Sequence, residues 1–325
     1  LNKSIDKFKS TSPFLDINFF IALEKSKSIG EKTGWISFPL FAKKNSEVVG
    51  FIPIFLKEHS YGEYVFDHAW ADAFQQHGLN YYPKMISAIP FTPITGSRIL
   101  ANDIEIKKAL IKAMEKILVE HKISSCHILF PNKKDHDLLN EMGWLSRKGV
   151  QFKWHNHSYN TFNDFLETLS HNKRKKIKQE RKKIKNNEIS ILRKQGTDIS
   201  NDDIDFFYKC YCETYRLHHS SPYLTKTFFY ELVKTMTTNI LIIIAKKNDI
   251  KIASALSIIG GDTLYGRYWG ALEFFSGLHF ELCYYQGQEF CIENKIKFFE
   301  GGAQGEHKLA RGFKPFETYS NHFIA

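Results

Sequence analysis

The residues of this chain whose types and spacing could do chemistry gather near its end, where Glu300 precedes Gly301 and Gly302, and His307, Lys308 and Arg311 follow in the next turn. A carboxylate at the carboxyl end of a strand can take a proton or anchor a ligand, and glycine backbone lets a ligand approach closely. An imidazole titrates near neutrality, and lysine or arginine can hold an anion or a developing oxyanion. Arg267, Tyr268 and Trp269 close an apolar run upstream and are expected to line the same place. A second group, Asp67, His68 and Asp72, stands among Tyr64, Phe66, Trp70 and Phe74, surroundings that would perturb a buried carboxylate. Glu300, His307 and Asp67 are therefore the candidate catalytic groups. His68, Asp72, Arg267, Tyr268, Trp269, Gly301, Gly302, Lys308 and Arg311 are the candidate substrate contacts, and both groups are expected to border one cleft. No metal set is expected, because His218 and His219 are adjacent, point apart, and have no carboxylate at ligand spacing.

The elements that must position these residues can be read from periodicity. Residues 263–269 are β-rich and 296–300 form a short apolar strand. Between them Phe280, Cys283, Tyr284, Gly287 and Cys291 recur at helical spacing over 278–294. The same order occurs earlier in the chain. FAKKNSEVVGFIPIF from residue 41 matches IAKKNDIKIASALSI from residue 244, an offset of 203 (244 minus 41). Phe130 precedes Gly143-Trp144 as Phe299 precedes Gly312-Phe313, an offset of 169 (299 minus 130). Two matches in one order predict a tandem duplication of an α/β (α+β) unit, each copy a mixed sheet flanked by helices. The first unit is expected over 1–155 and the second over 156–325. The offsets differ by 34 (203 minus 169), which places an insertion within 58–102, expected as an aromatic-rich packed loop without regular structure.

The net charge of +10 is local: residues 173–185 hold nine Lys or Arg and one Glu, so this run supplies +8 and the rest of the chain +2. It predicts a basic helix over 172–185 docked through Ile177 and Ile184. Lys178, Arg181 and Lys182 would then be free to meet a polyanion such as tRNA, or simply to face solvent. Five cysteines without a C-x-x-C pair suggest a reducing, cytoplasmic setting, and the aliphatic run 240–245 is far shorter than the ~20 residues of a membrane span.

The doubled unit resembles a tandem GNAT acyltransferase fold. The succession SHNKRKKIKQERKK, ASALSI, YGRYWGALEFFSGLHFELCYYQGQEFCIENKIKFFEGG and HKLARGF resembles the FemAB-like family, in particular its branch linked to peptidoglycan biosynthesis or recognition. The insertion, with YVFDHAWADAFQQHGLNYYPK and PFTPITG, resembles the same branch. The resemblance implies an acyltransferase or aminoacyltransferase that moves an acyl group to an amine acceptor. It implies no tightly bound cofactor, a small-molecule or cell-wall precursor substrate, and aminoacyl-tRNA or acyl-CoA as donor, with tRNA reaching the basic helix. LEFFSG stands where a coenzyme A pyrophosphate loop would be, which disfavours that donor. The peptidoglycan enzymes carry a lysine two positions before the closing Gly-Phe, whereas Ala310 precedes Arg311-Gly312-Phe313 here, with Lys308 and Arg311 as nearby substitutes. The alternative is accordingly a catalytically degenerate binding protein that recognises a cell-wall precursor or RNA.

Overall fold

The computed structural model describes residue 8 and residues 12–302 and 305–325. The chain divides into two compact units, residues 1–149 with 317–325, and residues 150–316. The sequence placed the division after residue 155 and kept the last residues with the second unit; the structure returns the C-terminal segment to the first.

The first unit opens with helix α1 (Ile17–Lys25), whose N-cap is Asp16, its carboxylate accepting from the Asn18 amide at 2.8 Å. Then follow β1 (Trp35–Ser37), β2 (Leu40–Lys44), β3 (Glu47–Ile52), β4 (Ile54–Lys57), helix α2 (His68–Gln76), β5 (Lys84–Ser87), β6 (Leu100–Ala101), helix α3 (Ile104–His121), β7 (Ser125–Leu129) and helix α4 (Lys133–Glu141). The main sheet runs β1-β4-β5-β7, and residues 320–324 pair antiparallel with β7; β2, β3 and β6 form a small separate sheet. Leu110, Ile111, Met114 and Leu118 of α3 pack with Ile52, Ile54 and Met85 in one core. The insertion is not the irregular loop expected. It supplies α2, the interior strand β5, which is parallel to β7, and the short β6. The two-residue alternation that marks a strand is missing because β5 is buried at every position, and α2 buries none of its residues.

The second unit continues with β8 (Leu145–His155), which begins in the first unit, then α5 (Phe162–Glu167), α6 (His171–Asn186), β9 (Ile189–Gln195), α7 (Asn201–Leu217), α8 (Lys226–Thr235), β10 (Ile240–Lys247), β11 (Ile250–Gly260) and β12 (Thr263–Ala271). A composite helix follows, α-helical over Leu278–Phe280, π over Glu281–Tyr285 and α-helical over Gln286–Glu293. It leads to β13 (Phe298–Glu300) and β14 (Lys314–Ile324), which ends in the first unit. The order is β8-β13-β12-β11-β10-β9. Helix α7 lies so close on β12 that a Cβ at Gly270 would stand 1.8 Å from the Cys210 carbonyl oxygen.

The internal repeat reaches into backbone detail. The β2–β3 and β10–β11 hairpins turn through Asn45-Ser46 and Asn248-Asp249, all with positive φ as a type I′ turn demands. Their bulges fall at Ala42/Lys43 and Ala245/Lys246, again 203 apart (245 minus 42). Gly143 and Gly312 are left-handed at φ +87° and +80°, and each is followed by the same amide bond five residues back, Trp144 to Leu139 and Phe313 to Lys308.

Candidate functional site

In the second unit β12 and β13 part. They pair in parallel only from Thr263↔Phe298 to Tyr265↔Glu300, after which β12 continues to Ala271 and the other chain leaves through Gly301 and Gly302. Arg267 is the extra residue of a bulge against Leu256 and Ser257, a device that redirects a strand beside many active sites. Glu300 is 5% exposed. Its Oε1 meets Lys153 at 2.8 Å, and its Oε2 is buried with no hydrogen-bond donor among the described residues. Burial, and then the Glu300 charge, push the neighbouring Tyr265 phenol up to about 12. Gly302, at φ +87°, has among the described residues only the Gly266 carbonyl oxygen near a prospective Cβ, at 4.0 Å; at Gly301 a Cβ would strike Phe313 at 2.9 Å and Tyr284 at 3.2 Å. Gly301 therefore serves aromatic packing, and Gly302 leaves space.

The turn Glu306–Arg311 faces this opening. Lys308 is 1% exposed and donates to the Gly302 carbonyl at 2.8 Å; burial pushes its ammonium down to about 8. The exposed His307 joins Nε2 to the Tyr284 hydroxyl at 2.8 Å. Burial, then Lys308 and Arg311, lower the His307 pKa, and burial raises that of Tyr284, so the pair is a neutral imidazole and a neutral phenol near pH 7. His279, 5.1 Å from Trp269 and 6.1 Å from His307 between ring centroids, is lowered to about 4 by burial first and then by His307, Arg311 and Lys308.

Arg311 does not offer its side chain to this opening. It is 1% exposed and donates to Glu180 at 2.8 and 2.9 Å, to Tyr285 at 3.0 Å and to the His307 carbonyl at 2.7 Å, with its guanidinium 3.4 Å from the Phe280 ring centroid. Tyr285 in turn donates to Glu180. Arg311 is thus the strut that fixes the turn bearing His307. Tyr284, Tyr285, His279 and Glu180 were missed from the sequence. The π segment takes Glu281, Tyr284 and Tyr285 off ordinary helical spacing, and such segments recur at functional sites. Glu180, a lone acid within the basic run, was a readable signal.

The basic helix α6 docks through Ile177 and Ile184, 1% and 4% exposed, as expected. Arg181 departs from the expected exposed set, because its guanidinium binds Glu281 at 3.0 Å and Glu289 at 2.6 Å and lies over Phe162. Lys178 and Lys182 remain exposed, and with Lys185, Phe162, Leu166 and Ile191 they line an open cleft of about 710 Å³. In the first unit His68 and Asp72 are exposed on α2, while Asp67 is buried at 4% within a separate charged cluster. The five cysteines are free thiols. Among the described residues, no group of His, Cys, Asp or Glu is arranged to hold a metal ion, and no helix is long and apolar enough to cross a membrane.

Comparison with solved structures finds the same fold across the chain. The FemX structure is 11% identical over 100% of this chain and 96% of its own, with TM-score 0.61. The structure of L-PGS from Bacillus licheniformis is 10% identical over 97% and 92%, with TM-score 0.58. A tandem GNAT protein from the clavulanic acid biosynthesis pathway is 8% identical over 99% and 92%, with TM-score 0.50. No curated protein sequence matches. The model of the FemAB-like family, described by peptidoglycan biosynthesis or recognition, matches residues 2–325, and the chain therefore belongs to that family.

Proposed function

We infer that this protein transfers an acyl or aminoacyl group from an activated ester or thioester to an amine, at the opening between β12 and β13. The observation that carries this reading is the buried Glu300 Oε2, without a donor among the described residues, placed where two parallel strands part and where Lys308 and the Tyr284–His307 pair converge. An amine must be neutral to attack, and Glu300, with His307 as the second base, accepts its proton. As the carbonyl carbon becomes tetrahedral, Lys308 donates to the oxyanion. The C–O or C–S bond then breaks, the leaving oxygen or sulfur takes a proton from the Tyr284 hydroxyl, and Tyr284 regains one from His307 once the imidazole has taken up the proton lost by the amine. Trp269, Tyr268 and Arg267 border the acyl donor along the far part of β12. A donor with a phosphate backbone, aminoacyl-tRNA before acyl-CoA, suits the lysines of α6, and the family points to a cell-wall precursor as acceptor.

The test is transfer of radiolabelled amino acid from a mixed aminoacyl-tRNA pool, and of acetyl from acetyl-CoA, to cell-wall precursors bearing a free amine, with products identified by mass. Glu300→Gln and Lys308→Met are expected to lower turnover at least ~100-fold with cooperative melting retained. Product formation at wild-type rates by both variants would remove the site from the reaction. Precursor or RNA binding without turnover in the wild type would establish the degenerate binding protein instead.

A further inference from the structure

The first unit breaks a strand ladder that its copy keeps whole, and the break opens an apolar slot that the acyl-transfer reading does not use. Ser37 pairs with Phe55 and Leu40 with Ile52 in one register, which sets Pro39 opposite Pro53. Neither proline has an N–H to give, so the ladder cannot close between them. The hairpin divides there: β1 and β4 stay in the main sheet, while β2 and β3 leave for the small one. The second unit is the internal control. At the repeat offset of 203 the same two positions are Ile242 (242 minus 39) and Leu256 (256 minus 53), and they face each other in a ladder that runs on through them. The facing prolines therefore belong to the first unit and not to the repeated fold.

Helix α1 lies over the break. Its Ile17, Phe20, Ile21 and Glu24 stand at i, i+3, i+4 and i+7 on one helix face, and with Pro39, Pro53 and the alternate strand positions 37, 51 and 55 they line a slot of about 200 Å³. Phe51, Ile54 and Phe55 form its floor, at 5%, 1% and 2% exposed. Glu24 and Ser37 are the polar residues of the lining, and both are exposed, so they mark the mouth. Below them the walls are side-chain carbon, and the Phe38 amide at the break is spent on the Ile54 carbonyl at 2.8 Å. A buried water needs two to four polar partners, which such walls do not supply. An apolar cavity of about 150 Å³ engineered in another protein stays dry and takes up benzene, so space of this size and lining is by itself a binding site.

The dimensions narrow the ligand. The two turns of α1 from Ile17 to Glu24 make the slot roughly 10 Å long, and its volume over that length leaves a cross-section of roughly 20 Å², the girth of one extended hydrocarbon chain. The Glu24 carboxylate at the mouth repels an anionic head group and favours a neutral or cationic one. We propose that the first unit binds a single alkyl chain of about eight carbons, tail inward between α1 and the Pro39–Pro53 break, with a neutral or cationic head beside Glu24. Burial of the chain drives binding, so affinity grows with chain length only until the slot is full. The inference is independent of the acyl-transfer reading, because its test reads binding to the first unit and no turnover.

The probes are the straight-chain alcohols from butanol to decanol, each titrated below its solubility limit against the full chain, with dissociation constants taken from ligand-observed NMR. Each added methylene is expected to tighten binding about fourfold. The series should level off at about eight carbons, where the chain reaches the end of the slot. Octanoate is expected to bind about threefold more weakly than octanol, and Glu24→Gln to narrow that gap. Ile21→Trp, which fills the slot with an indole, is expected to abolish saturable octanol binding with cooperative melting retained. The alcohol series needs no variant to fold: no saturable binding, or a steady climb through decanol as on a general apolar surface, overturns the proposal. Wild-type octanol binding in an Ile21→Trp chain that melts cooperatively overturns it as well, and so does an octanoate gap that Glu24→Gln leaves unchanged.

Discussion

Each unit holds a buried cation between carboxylate and tyrosine, and the two are finished differently. In the second unit the planar guanidinium of Arg311 meets both oxygens of Glu180, and Tyr285 completes the same carboxylate. Glu180 then has no open acceptor, and a triad of that kind holds elements together. In the first unit the ammonium of Lys84 joins one oxygen each of Glu63 and Asp67, and the other oxygen of each has no hydrogen-bond donor among the described residues, Lys57 standing 3.9 Å from Glu63 Oε1. A lysine head satisfies a point, whereas an arginine fork satisfies a face. Burial alone therefore does not separate a closed charge cluster from an open one in this protein; completeness of the hydrogen bonds does.

The largest expected effect breaks the finished triad. Arg311→Met leaves the largely covered Glu180 carboxylate with its main partner gone and should cost about 3 kcal/mol in urea denaturation. Adding Glu180→Leu should recover most of that loss, since a buried pair replaced by apolar side chains is near neutral. In the first unit Lys84→Met paired with Asp67→Leu should recover far less, because Glu63 remains behind. Equal recovery in both units would erase the distinction between a closed pair and an open cluster.

A smaller effect follows from acid. Burial first, then Arg147, lowers His322 to about 3, against 6.5 in an unfolded chain. Between those values the unfolded state binds the extra proton, so stability rises with pH through this window. The contribution is complete above pH 6.5 and is lost as pH falls toward 3, at about 1.4 kcal/mol per pH unit for each such histidine. His127 adds to the slope in the same direction. His279, lowered to about 4, should give the second unit a shallower and earlier-ending version. Denaturation midpoints between pH 4 and 7 check this, and His322→Phe should flatten the profile if the protonation assignment is right.

Much of this architecture was legible in the chain, and the failures have physical causes. The AKKN turns and the Gly-aromatic pairs revealed the repeat because positive φ restricts side chains to few types, so the residues outlast the divergence around them. The strand ending at Glu300 and the docking of the basic helix through Ile177 and Ile184 followed from spacing alone. Strand β5 did not, because a strand buried at every position shows no alternation. That the unit boundaries fall inside β8 and β14 left no local mark, since each reads as a strand throughout. Arg311 and Arg181 looked like ligand contacts because their partners, Glu180, Glu281 and Glu289, come from elements about 100 or more residues away, and sequence carries charge but not proximity.

The smallest expected effect compares neighbours on one helix. Arg181 and Lys182 are adjacent and equally basic, yet Arg181 is tied to Glu281 and Glu289 while Lys182 is exposed on the cleft beside α6. Arg181→Gln leaves those two carboxylates short of a partner and should lower stability by about 1–3 kcal/mol, with little change in polyanion affinity. Lys182→Gln should leave stability within about 0.5 kcal/mol. If the cleft takes a phosphate backbone, the same change also removes one released counterion from tRNA binding. The slope of log affinity against log salt then falls by about 0.7 to 0.9, and the Lys178→Gln, Lys182→Gln double variant falls by about twice that. Binding isotherms at several salt concentrations read the slope directly. A slope unchanged in the double variant would return these lysines to a solvated face, and a slope that falls with Arg181→Gln instead would mean that its ion pairs open when the polyanion arrives.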